Sequence, residues 1–78
     1  MMYDLIICQS QTLAKQAVLI LQRENICALV VRTPRELSTA GCSYSLKVSA
    51  GMGMLAADTL SRNRLPHGKV YHMRRDRG

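Results

Sequence analysis

Three cysteines, Cys8, Cys27 and Cys42, are the residues of this chain best suited to covalent chemistry, and only Cys42 stands among groups that would activate it. It closes the segment 33–42, Thr-Pro-Arg-Glu-Leu-Ser-Thr-Ala-Gly-Cys, with Arg32 and Arg35 at the segment's start. A nearby guanidinium favours thiolate over thiol, and the thiolate is the nucleophile. Cys8 and Cys27 lie in apolar, β-branched runs, where a free cysteine behaves as a small buried hydrophobe. An odd number of cysteines at irregular spacing is not a disulfide framework, and no pair is spaced to hold zinc. His67 and His72 have no ligand spacing to a cysteine, so no metal is expected. No Ser/His/Asp set, phosphate-binding glycine loop or paired carboxylates occur. An enzyme with its own active site is therefore not expected, nor is a cofactor.

The elements around the segment specify where it sits. Thr33-Pro34-x-Glu36 is a capping box with proline at the first helical position: the Thr33 hydroxyl can accept from the Glu36 amide and Glu36 can reach back. A defined turn is predicted, with Gly41 free to adopt positive φ beside the thiol. Residues 3–8 read as a central strand and 26–32 as a second. Between them Ser10 caps a helix over 11–24, with Leu13, Ala14, Ala17, Val18 and Leu21 on one stripe and Asn25 as its left-handed stop. Residues 43–49 alternate, with Tyr44, Leu46 and Val48 on one face and Ser45 and Lys47 on the other. A second helix is predicted over 51–64, with Met52, Leu55, Ala56, Thr59 and Leu60 inward. A turn at 65–68 and a last strand over 69–74 follow.

The order β-α-β-β-α-β predicts an α+β, ferredoxin-like two-layer sandwich. Its antiparallel sheet has strand order 4-1-3-2 and both helices on one face. One domain is expected over 1–78, with a basic tail at 74–78. Taking strands 1 and 3 as parallel neighbours gathers Cys42, Arg32, Arg35, Arg74 and Arg75 at one sheet edge, beside helix C-termini. It sends Cys8 and Cys27 to the other edge.

A chain of 78 residues buries a modest core, here without Phe or Trp. No apolar run is long enough to cross a bilayer, and residues 1–8 carry Asp4 and no basic n-region. The cytoplasm is the expected compartment, consistent with a free thiol. The net charge of +6 invites phosphate-driven RNA binding, but the strand 3 face offers Ser45 and Lys47 instead of stacking aromatics. RNA binding is therefore the least favoured reading.

The blocks Ser10 with Ala14, Thr33-Pro34-Arg35-Glu36-Leu37-Ser38, and Gly41-Cys42 before Tyr44-Ser45-Leu46 resemble those of a family of small bacterial proteins described as selenium/sulfur carrier-like. Relatives of that family also occur fused behind SirA-like domains. Many of them read Cys-Gly where this chain reads Gly-Cys. The resemblance implies a non-catalytic carrier that holds sulfur or selenium on Cys42 as a persulfide or selenopersulfide, between donor and acceptor proteins. Arg32, Arg35, Arg74 and Arg75 are the candidate anion or partner contacts, and Ser10, Thr33, Pro34, Glu36 and Gly41 the structural residues. The competing reading is an interaction module in which Cys42 is structural. Such a module would form a homodimer through an apolar strip of the first strand on the open sheet face.

Overall fold

The computed structural model describes residues 2–35, 37 and 44–74. The elements are β1 (Met2–Cys8), α1 (Gln11–Arg23), β2 (Ala28–Arg32), β3 (Tyr44–Ser49), α2 (Gly53–Arg62) and β4 (Val70–Arg74). The four strands form one sheet in the order β2-β3-β1-β4, which is 4-1-3-2 read from the other edge. All pairings are antiparallel. This corrects the expected parallel relation of strands 1 and 3. Because the α1 crossover leaves β1 and β2 running the same way, β3, antiparallel to β2, must run against both.

Alternation decides the faces. Ile6, Cys8, Leu46, Val48 and Ala28 point to the helices and pack with Ala14, Ala17, Leu21, Ala56 and Leu60. Small residues at Ala14, Ala17 and Ala56 let the helices lie close on the sheet. The α2 stripe differs from expectation: Thr59 and Leu60 are buried, but Leu55 and Met54 face solvent. The opposite face of β1 carries Leu5 and Ile7, which are 1% and 7% exposed. These two side chains of the expected apolar strip therefore expose little surface.

Both helices stop in the same way. After α1, Asn25 takes φ 63°, its N–H bonds Gln22 C=O, and Ile26 N–H bonds Leu21 C=O. After α2, Arg64 takes φ 60°, its N–H bonds Ser61 C=O, and Leu65 N–H bonds Leu60 C=O. Each is a Schellman motif with its apolar pair, Ile26 with Leu21 and Leu65 with Leu60. The motif also explains why β2 begins at Ala28 instead of 26. Asparagine suits the left-handed position, whereas arginine is strained there. Arg64→Gly is accordingly expected to stabilise the fold by about 0.5–1 kcal/mol, readable as a raised urea midpoint with unchanged slope.

Candidate functional site

The sheet edge that receives the 33–42 segment is set by register. Tyr44 at the start of β3 pairs with Cys8 at the end of β1 and with Arg32 at the end of β2. Directly after β1, Ser10 caps α1, its hydroxyl accepting from Leu13 N–H at 3.1 Å. Beyond β2, the Thr33 and Ser45 hydroxyls lie 2.7 Å apart and tie the outgoing chain to the returning strand. Pro34 C=O then accepts from Leu37 N–H at 2.9 Å, the single turn that the Thr-Pro pair predicted. Glu36, Ser38, Gly41, Cys42 and Arg75 lie outside the described residues. In sequence, Cys42 precedes Tyr44 by two positions.

Arg32 and Arg35 are exposed at this edge, and neither pairs with an acidic side chain among the described residues. Arg74 is elsewhere. It pairs with Met2, six residues along β1 from Cys8, or about 20 Å at strand spacing. The antiparallel relation of β1 and β3 sends the end of β4 to the far edge, so the expected cluster of Arg74 with Arg32 and Arg35 does not form. The helix ends are also corrected. The positive N-terminus of α1 and the negative C-terminus of α2 share the Tyr44 edge, in place of two C-termini.

The other two thiols separate clearly. Cys8 is at the Tyr44 edge, not the opposite one, but faces the helices and is 1% exposed. Burial pushes its thiol up to about 11. Cys27 was expected inside a strand; it precedes β2 and is exposed. Its neighbour Ala28 pairs with Val48, four residues along β3 from Tyr44, or about 13 Å. Alkylation of the native chain near pH 8 is therefore expected to modify Cys27 readily and to leave Cys8 protected until unfolding. Equal rates at the two would contradict their placement.

Sequence reading missed a polar cluster at the far edge. Asp4 is 1% exposed on the helix side of β1. Its Oδ2 accepts from Gly53 N–H at 2.8 Å and Gly51 N–H at 3.1 Å, and its Oδ1 lies 2.8 Å from His72 Nδ1. Burial alone would raise this carboxyl. The bond from His72, the two backbone N–H groups and the His72 charge outweigh it and hold the pKa below the ordinary 3.8. Asp4 thus caps α2, whose own cap residue, Met52, supplies no side-chain bond. The signal was one acid inside the apolar run YDLIIC.

On the open face, Lys47 Nζ lies 4.8 Å from the centre of the Tyr3 ring. That cation–π contact occupies a ring face that a nucleobase would need. Among the described residues no three His, Cys, Asp or Glu side chains are grouped to hold a metal. No helix of these residues is long and apolar enough to cross a membrane.

The described residues define a small α+β protein with Arg32 and Arg35 exposed at the end of β2. The chain belongs to the family described as "Putative Se/S carrier protein-like", whose model matches residues 3–72. No curated protein and no solved structure matches it.

Proposed function

We propose that this protein is a non-catalytic sulfur or selenium carrier of ferredoxin-like βαββαβ fold, with Cys42 as the carrying thiol. The family match over residues 3–72 is the observation that supports this reading most. The carrier uses no cofactor and no catalytic residues of its own. The Cys42 thiolate attacks the outer chalcogen of a donor protein's persulfide. The donor's S–S bond breaks, its sulfur leaves as a thiolate with the electron pair, and a new S–S bond forms on Cys42. The transferred atom keeps its oxidation level, so no oxidant or reductant is consumed. Attack by an acceptor thiolate repeats the exchange and frees Cys42.

Exposed Arg32 and Arg35 supply positive charge at the Tyr44 edge, which favours a thiolate and receives an anionic donor. Cys8, with its thiol raised to about 11, is a poor competitor at neutral pH. Cys42→Ser is expected to abolish sulfur uptake from a cysteine desulfurase supplied with cysteine, while Cys27→Ser retains it. Uptake by the Cys42→Ser chain at the wild-type level would contradict the proposal.

A further inference from the structure

Away from the Tyr44 edge, α1 and the outermost strand β2 leave a groove of about 430 Å³ lined by Lys15, Val18, Leu19, Ala28, Leu29 and Val30. Leu19 and Leu29 are large hydrophobics left 59% and 60% exposed. β2 pairs with β3 on one side, and among the described residues no strand covers the other. An uncovered edge strand offers unpaired N–H and C=O groups, and natural edges are blunted by charge or proline. β2, Ala-Leu-Val-Val-Arg, has neither before its last residue. β4, the other edge, carries no large hydrophobic of comparable exposure.

Among the described residues the charges around the groove are of one sign. Lys15 lines it, Arg32 ends β2, Lys47 pairs with Leu29 from the next strand, and no acidic residue lines it. A second copy laid along β2 would bring two basic edges together, between chains that each carry +6. We propose that this groove docks an extended, acidic and aliphatic segment of a partner protein, added to β2 as a fifth strand. Its backbone pairs with β2, its aliphatic side chains cover Leu19 on the α1 side and Leu29 on the open face, and its carboxylates meet Lys15 and Arg32. This inference does not depend on Cys42.

The test is a random-peptide display library panned against the full chain, with binders mapped by amide hydrogen exchange. Enriched peptides should combine Asp or Glu with aliphatic residues, lack proline and slow exchange across Ala28–Arg32. Binding should weaken as salt rises and fall by about tenfold or more in the Leu19→Glu/Leu29→Glu chain, whose altered residues are on the surface. Lys15→Glu, a milder change, should remove the preference for acidic peptides. Four results would overturn the proposal: no enrichment over the double variant, binders that are basic or lack aliphatic residues, protection mapped to β4 or the centre of the open face, or self-association of the chain through β2.

Discussion

Replacing Asp4 by alanine is expected to lower the melting temperature by ~15 °C. The carboxylate is the cap that α2 lacks locally, delivered from β1 across 49 positions to Gly53 N–H. Its removal leaves two N–H groups at the helix start without an acceptor and breaks the bond to His72. Bonds to a charged group contribute about 1.5–3 kcal/mol, and loss of a cap costs about 1 kcal/mol. A domain of this size has a total stability on the order of 4–12 kcal/mol. Each kcal/mol corresponds to about 4–8 °C.

Asp4 also sets an acid limit. Its folded pKa lies below the ordinary 3.8, so the ionised carboxylate contributes stability above that value. The contribution is lost as pH falls through the depressed folded pKa. Wild-type stability should therefore decline in acid more steeply than that of Asp4→Asn, and the two should converge at the lowest pH. Parallel pH profiles would contradict the ionised cap.

Gly53→Ala is the second large effect, and here two principles oppose each other. Helix propensity favours alanine over glycine by about 1 kcal/mol. Space does not: a Cβ at residue 53 would meet Asp4 Oδ2 and Val70 Cγ1 at 2.7 Å and Asp4 Cβ at 2.9 Å. The Val70 methyl could rotate away, but Asp4 Cβ is anchored to β1 and its carboxylate is held by the helix it caps. The start of α2 must therefore lift from the sheet, lengthening the 2.8 Å cap bond. Sterics should win, with a net loss of about 2 kcal/mol measured by urea unfolding. The two substitutions should be non-additive, because removing the carboxylate relieves one of the clashes. A stabilised Gly53→Ala chain would mean that α2 does not approach β1 this closely.

What the sequence disclosed follows from how local each signal is. The α1 stripe, its Ser10 cap and its Asn25 stop are encoded within a few residues, and the structure has each of them. The alternation of β3 likewise assigned Leu46 and Val48 to the core. Strand order followed from the element order, but strand direction needed the turn between β2 and β3 to be carried through. Misreading it moved Arg74 across the sheet and Cys8 to the wrong edge. The Asp4 cap was hidden because its partners are far along the chain and glycine amides leave no side-chain pattern. Cys27 looked buried because the apolar run 26–31 extends past the strand, which starts only after the Schellman turn has used Asn25 and Ile26. The Thr33 cap on Glu36 falls outside the described residues, whereas the Thr33 hydroxyl reaches Ser45, a contact no local motif announces.

The carrier account rests on one thiol taking the chalcogen while two others do not. The most direct measurement is peptide mapping by mass spectrometry, under non-reducing conditions, of the wild-type chain after brief exposure to a cysteine desulfurase and cysteine. The account predicts one added sulfur atom on the peptide containing Cys42, with Cys8 unmodified and Cys27 at most at the level set by its exposure. Sulfur on Cys27 or Cys8 ahead of Cys42, or on none of the three, would contradict it.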